Sequence, residues 1–322
     1  MRNPWATCAV AARYFPPVAK QRIQALADDL KAAFKARIER LDWMSPTTKA
    51  RALEKLSKTA VYVGYPDRPR DYRSLVIRRD DLYGDVRRAA AFEWRFAVGL
   101  LDKPVDRGEW TLTPQTFNAY SDPILNEVVF PAGILQPPLF DPEADPAVNY
   151  GAIGAVIGHE LTHGFDDEGR KYDGDGRLAD WWTAEDAAAF EARAARLSKQ
   201  YSSYVALPGV RLNGQLTLGE NIADLGGVLL ALDAYHVSLK GAPAPVVDGL
   251  TGDQRFFLGY AQAWRGKQRE DSLRRRIVSD PHSPRQFRVN GVVPNVDAWY
   301  DSFDVKSGRS LFLDPGERVR IW

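Results

Sequence analysis

His159 and His163 stand four residues apart, with Glu160 between them, in the stretch VIGHELTHGFDD. On a helix that spacing puts both side chains on one face, one turn apart. Two imidazole nitrogens can then be aimed at one point, and neutral imidazole suits zinc. Glu160 projects beside that point without having to be a ligand. That is the placement of a carboxylate that takes a proton from a metal-activated water. A catalytic zinc site usually takes a third protein ligand and keeps a place for water. The stretch LGENIAD supplies a candidate in Glu220, and Asp224 follows one helical turn later. Asp224 could accept the spare N–H of a ligating histidine and so fix its tautomer. Taken singly, each stretch has a plainer explanation: two surface histidines at a chance spacing, and an amphipathic helix with an acidic first turn.

The elements that must carry these residues are legible as periodicities. VAKQRIQALADDLKAAFKARIERLDWM places Ile23, Leu26, Leu30 and Phe34 at helical steps. Ser45 and Pro46 then read as the N-cap and first position of a second helix, with Leu53 and Leu56 on its apolar stripe. A further helical stretch is expected over about residues 80–101, broken near Tyr83-Gly84. After LDKPVDRGEW, the segments WTLTPQTFNAYSDP and EVVFPAGILQPPLF read as short strands and loops. NYGAIGAVIGHELTHGFDD returns to helix, and DGDGRLADWWT reads as a loop. Thr183 caps a long Ala-rich helix to about Tyr204. Helices are also expected from about Leu218 and within DGLTGDQRFFLGYAQAWRGK. The tail from Ser279 reads as mostly loop, with a short helix near residues 295–303.

Composition narrows the class. The chain has 322 residues, 45% of them hydrophobic, which is enough for a sizeable core. Lys+Arg is 43 and Asp+Glu 42, so no charge excess points to nucleic acid or to an anionic membrane surface. No apolar run approaches the roughly 20 residues that span a bilayer. The single cysteine, Cys8, cannot form an intramolecular disulfide. The short apolar stretch 6–12, with Pro4 before it, does not read as a signal peptide.

The His-Glu-x-x-His stretch followed by Glu-x-x-x-Asp resembles the zinc metallopeptidases of the neprilysin and endothelin-converting enzyme type. The likeness runs from about Tyr14-Phe15-Pro16 to Trp322 and includes NAYSDP, VVFPAGILQPPLF, DWWT, LNGQLTLGENIADLGG, FFLGYAQAW, DPHSPRQFRVNG and RVRIW. It implies an α+β, predominantly helical fold with a thermolysin-like zincin catalytic domain over residues 106–322. Residues 1–105 would be a helical remnant of a lid domain and its connection. It implies one zinc ion held by His159, His163 and Glu220, with Glu160 as general base and Asp224 orienting one ligating histidine. Asp166 or Asp167 would orient the other, and spacing does not choose between them. His282 matches the residue that steadies the developing oxyanion. His236, in LDAYHVSL, matches no motif and reads as an ordinary helix residue.

Substrate handling follows by the same resemblance. Asn118 and Ala119 look like an edge-strand pair that hydrogen-bonds a peptide main chain. Arg288, rather than Arg285, matches the arginine that binds a substrate carbonyl. The pocket for the residue after the cleaved bond would be formed by Ile134, Leu139, Ala155, Val156, Ala263 and Trp264. Small residues among these point to a roomy pocket preferring Phe, Leu or similar side chains. The implied reaction is hydrolysis of oligopeptides on the amino side of hydrophobic residues. The alternative is a truncated, non-catalytic fragment that retains zinc or peptide binding. Family members are commonly about twice this length, so the expected partners are peptide substrates and the N-terminal half of that architecture. Their usual location makes an extracytoplasmic setting the expectation.

Overall fold

The structure, a computed structural model, describes residues 13–68 and 70–322; Cys8 and the stretch 6–12 lie outside them. Helix α1 (Pro17–Arg40) starts with proline in its first turn and buries Ile23, Leu26, Leu30, Phe34 and Ile38 on one stripe. In α2 (Pro46–Lys58) the Ser45 hydroxyl accepts from the Thr48 N–H, the expected N-cap. α3 (Leu82–Val98) is shorter than expected and unbroken. The Asp81 side chain accepts from the Gly84 N–H, so the glycine falls inside a capped first turn.

Three short strands form a sheet in the order β1-β3-β2. β1 (Ala60–Gly64), which the sequence did not announce, runs parallel to β3 (Glu127–Pro131), pairing Val61 with Val128. β2 (Tyr120–Asp122) pairs antiparallel with β3 and forms the edge. β3 is buried at every residue, which accounts for its unalternating EVVFP. Polar Glu127 is the exception in type, and burial pushes its carboxyl up to about 7, helped by Asp122.

α4 (Pro146–Asn149), capped by Asp145, runs through a wide turn at Tyr150–Gly154 into α5 (Ala155–His163). α6 (Ala184–Ser202) is capped by Thr183 as read, with Asp186 closing the turn and also accepting from Ser45. A small hairpin, β4 (Val205–Leu207) and β5 (Val210–Arg211), precedes α7 (Leu218–Ser238). α8 (Gly252–Ala263) opens with a capping box between Thr251 and Gln254. α9 (Glu270–Ser279) and α10 (Arg285–Asn290) were not anticipated, the latter inside the tail read as loop; α11 (Asp297–Phe303) was. Among the described residues no helix is long and apolar enough to cross a membrane.

α7 is the pillar of the molecule. It is buried nearly all round, from Leu218 and Ile222 to Leu232 and Tyr235. Both α1 and α5 pack against it, and they also touch each other. One core joins residues on both sides of position 105: the Phe34 ring lies edge-on to Phe165 at 5.0 Å and to Trp322 at 5.6 Å.

α5 and α7 touch backbone to backbone. A Cβ on Gly227 would lie 2.4 Å from the Ala155 carbonyl and 2.7 Å from the His159 nitrogen. A Cβ on Gly158 would lie 2.8 Å from the Gly227 carbonyl. Alanine within a helix ordinarily gains up to about 1 kcal/mol over glycine. Here the neighbours are backbone and cannot step aside, and overpacking costs about 1–3 kcal/mol or more. Gly227→Ala is therefore expected to lower stability by about 1–2 kcal/mol in urea unfolding; an unchanged or raised midpoint would contradict this contact.

Candidate metal centre

α5 and α7 deliver the chemistry. His159 and His163 sit one turn apart on α5, and Glu220 enters from the first turn of α7. His159 Nε2 lies 3.0 Å from His163 Nε2 and 3.3 Å from Glu220 Oε2. His163 Nε2 lies 3.7 Å from Glu220 Oε1. Bonds of about 2.0–2.2 Å in a tetrahedron put ligand atoms roughly 3.3–3.6 Å apart. The three residues thus already stand near the separations one ion would impose. Glu220 Oε2 is buried and takes no hydrogen bond among the described residues, an acceptor left for a cation. The donor set therefore fits a metal ion, and two imidazoles with a carboxylate suit zinc.

Both histidines are held from behind. His159 Nδ1 lies 2.9 Å from Asp224 Oδ1, and His163 Nδ1 lies 2.6 Å from Asp166 Oδ2. Of the two candidate aspartates, Asp166 is the one in contact with His163. Asp167 is partnered differently: its Oδ1 is buried without a hydrogen bond among the described residues, packed on Gly219. Burial and neighbouring Asp166 raise the Asp167 carboxyl to about 6.

Burial opposes a charge on His159, but the adjacent Asp224 and Glu220 carboxylates outweigh it and raise its pKa to about 10. His163 is raised in the same way, against burial and His159, by Asp166 and Glu160. Burial works against the Glu220 and Asp224 carboxylates too. The histidines hold Glu220 far below the usual range, and Arg288 and His159 lower Asp224. The site is thus built to stabilise positive charge between carboxylates.

Arg288 is buried on α10, with Nε donating to Asp224 Oδ2 at 2.7 Å and Nη2 to Oδ1 at 2.5 Å. Its guanidinium lies 3.8 Å from the centre of the Trp264 ring. Tyr260 donates its hydroxyl to the Arg288 carbonyl, fixing the backbone there. No hydrogen bond of Nη1 is made among the described residues, and Arg288 is part of the cleft lining.

His282 sits in the loop before α10, with Nε2 3.3 Å from Glu220 Oε1. Asp280 accepts from both its backbone N–H, at 3.0 Å, and Nδ1, at 2.8 Å. The next residue, Ser283, donates to Asn221 Oδ1 at 2.7 Å, pinning this loop to α7 beside Glu220. Asp280, Ser283 and Asn221 went unread in the sequence. The signal was there in SDPHSP and ENIAD, where a short polar residue flanks each site residue.

These residues open on a cleft of about 860 Å³. Its lining includes Glu160, Asn118, Ala119, Ile134, Leu139, Val156, Ala263 and Trp264, as the sequence proposed, together with unanticipated Phe117, Tyr120 and Pro138. Arg285 and Arg265 lie exposed on its rim. Ala155 is not part of the lining, which corrects its assignment to the pocket. It is buried on α5, and its carbonyl faces Gly227. Its neighbour Val156, about 100° further round the helix, faces the cleft instead. His236 is remote from the cleft and pairs with Asp253 at 2.7 Å.

A His-Glu-x-x-His helix completed by a glutamate from a second helix, inside a predominantly helical α+β fold, defines a thermolysin-like zincin. The chain matches the model of Peptidase family M13 over residues 118–319, and a second model of that family over residues 4–66. It belongs to Peptidase family M13. Among curated relatives it is 36% identical to Neprilysin-3 of Drosophila melanogaster over 317 residues, 95% of this chain and 39% of that protein. It is 39% identical to human Endothelin-converting enzyme 1 over 304 residues, 91% of this chain and 39% of that one. Among solved structures it resembles the zinc metalloprotease Zmp1 of Mycobacterium tuberculosis in complex with an inhibitor. That match has 55% identity and a TM-score of 0.93, over 98% of this chain and 49% of that one. PepO from Lactobacillus rhamnosis matches at 35% identity and a TM-score of 0.88, over 98% and 49%. The chain thus spans about two fifths of these curated relatives and about half of these solved chains.

Titration with zinc, followed by chelator competition, is expected to give one ion per chain. At about 100 times its dissociation constant the ion should raise the unfolding free energy by about 2.7 kcal/mol. His163→Ala should abolish that gain; a gain that survives would place the ion elsewhere.

Proposed function

We propose that this chain carries the catalytic machinery of a zinc-dependent endopeptidase acting on oligopeptides. The observation that supports it best is convergence at one point. Two α5 imidazoles and the Glu220 carboxylate meet at one point with His282 against Glu220, and Glu160 lines the same 860 Å³ cleft, beside an edge strand.

A zinc ion held by His159, His163 and Glu220 would supply Lewis acidity toward a water and a substrate carbonyl. The chain's own groups do the rest. Glu160, beside His159 on the cleft side of α5, accepts the proton of the attacking water and hands it to the leaving amine. His282 donates from Nε2 to the oxygen on which negative charge develops. Asp280, accepting at Nδ1, fixes the ring's orientation, and donation from Nε2 as well uses the doubly protonated imidazolium, whose charge Asp280 faces. Arg288, already fixed by Asp224 and Trp264, offers its open Nη1 to a substrate carbonyl beyond the cleaved bond.

Asn118 and Ala119 precede β2, whose other side faces no strand among the described residues. A substrate peptide can add there in extended form, with main-chain hydrogen bonds giving affinity and little side-chain selection. The side chain after the cleaved bond would enter among Ile134, Leu139, Val156, Ala263 and Trp264. Only Trp264 is large and aromatic, so the pocket is apolar and roomy, suited to Phe or Leu. Proteins of the kinds compared include endothelin-converting enzymes and neprilysins, and a peptide substrate class is carried over from them.

Glu160→Gln separates this reading from a fragment that merely binds zinc or peptides. The variant should fold and hold zinc like the parent while cleavage of a quenched fluorescent peptide falls about 100- to 10,000-fold. A zinc-loaded, folded parent that cleaves nothing would favour the binding-only fragment. A cleavage-site survey is expected to show Phe, Leu or similar residues after the cleaved bond; charged residues there would overturn the pocket assignment.

A further inference from the structure

Outside the cleft, the least ordinary side chain is Lys55. It lies on α2, in the N-terminal helical segment, and is 1% exposed. Lysine is seldom fully buried unless its charge is met. Here the three ammonium donors converge on three carbonyls: Gly164 at 2.6 Å, Gly169 at 2.8 Å and Tyr172 at 2.7 Å. The Phe165 and Trp181 rings lie 5.3 and 5.8 Å from Nζ and close the space around it. Burial lowers the pKa to about 8, and Asp166 and Asp173 act in the other direction, so the ammonium dominates at neutral pH.

What Lys55 gathers is the loop that leaves α5 immediately after His163. That loop carries Asp166, whose Oδ1 accepts from the N–H groups of Glu168 at 2.9 Å and Gly169 at 2.7 Å. Its Oδ2 is the partner of His163 Nδ1 at 2.6 Å. Gly169 folds so tightly over the end of α5 that a Cβ on it would meet the His163 carbonyl at 1.7 Å. The peptide units at both ends of this turn therefore answer to one cation. α2 is in turn fastened on its far side: Asn126 donates Nδ2 to the Lys55 carbonyl and to the Gly174 carbonyl, both at 3.1 Å. Removing the ammonium would leave three inward carbonyls with no common donor. The turn would open, and the N–H pair that aims Asp166 at His163 would lose its geometry.

We infer that Lys55 is a positioning residue for the metal centre, holding the Asp166 turn so that His163 presents Nε2 to the ion. The inference rests on the metal site proposed above. It means that the N-terminal segment contributes to ligand geometry through one buried charge, although none of its described residues is among the three ligands. Outer partners of a ligating histidine are typically worth about 10- to 100-fold in metal affinity, and Lys55 acts on that term through Asp166.

The test is zinc affinity by chelator competition on the full chain, for the parent, Lys55→Met, Asp166→Asn and the double variant. Leu56→Ala serves as a buried control on the same helix. A parent that binds no zinc would sink the metal reading itself and leave Lys55 without a centre to position. Given one ion on the parent, Lys55→Met should weaken zinc about tenfold or more. The double variant should be no weaker than Asp166→Asn alone, because both substitutions break one connection. Leu56→Ala should lower the unfolding midpoint as much or more without moving zinc affinity. Equal zinc affinity in Lys55→Met, full additivity with Asp166→Asn, or an equal affinity loss in Leu56→Ala would each overturn the inference. If Lys55→Met does not fold, Lys55→Gln takes its place with the same expectations. Failure of both to fold, with Leu56→Ala folded, would assign Lys55 to the core alone.

Discussion

Everything at the centre depends on how closely α5 approaches α7. The two helices meet at Gly158 and Gly227 with no side chain between them. A Cβ at Gly227 would press on the His159 backbone itself, so the contact sets the position of a ligand directly. Gly226 repeats the condition one residue earlier, against Thr162, which returns its hydroxyl to the Gly158 carbonyl at 2.7 Å. Only at this separation can Glu220, in the first turn of α7, share a point with imidazoles on α5. Asp224, a turn further, then reaches the back of His159.

That approach brings together groups that would repel or strand one another anywhere else. Three carboxylates, Glu220, Asp224 and Asp166, surround two imidazoles that open on the cleft only from one end, with Asp224 and Asp166 buried behind them. Arg288 offsets part of the negative charge by gripping Asp224 with two nitrogens, a geometry lysine could not reproduce. A divalent cation offsets the rest. The surroundings are correspondingly stiff: Tyr201 and Tyr260 hold the α10 backbone, Ser283 ties the His282 loop to Asn221, and Lys55 gathers the turn behind His163. Substrate groups, in contrast, meet short loops and the sheet edge, where Phe117–Tyr120 line the cleft. The ligand positions are thus fixed by buried contacts, while the cleft walls come from loops and a sheet edge.

The chemistry was more legible than the framework. His159, His163, Glu220 and Asp224 announce themselves because metal ligation needs particular residue types at helical spacings. Their positions converge as the spacing requires. α1, α2, α6 and α7 were readable from apolar stripes and caps such as Ser45 and Thr183. β1 was not, since five residues of AVYVG acquire strand character only by pairing with β3. α9 and α10 escaped because ten and six residues, rich in arginine, carry little periodic signal. The choice between Asp166 and Asp167 turned on a backbone turn that no spacing rule encodes. Ala155 was misassigned because adjacent helix positions face about 100° apart, and a linear match does not see the face.

The central claim is that α5 and α7 jointly form one zinc site of two imidazoles and one carboxylate. X-ray absorption at the zinc edge of the stoichiometrically loaded chain measures that most directly. The account predicts a four- or five-coordinate ion with imidazole scattering from two histidines at about 2.0–2.1 Å, oxygen at about 2.0–2.2 Å and no sulfur. A six-oxygen shell, a sulfur ligand, or imidazole scattering that persists undiminished in the His159→Ala, His163→Ala double variant would contradict it.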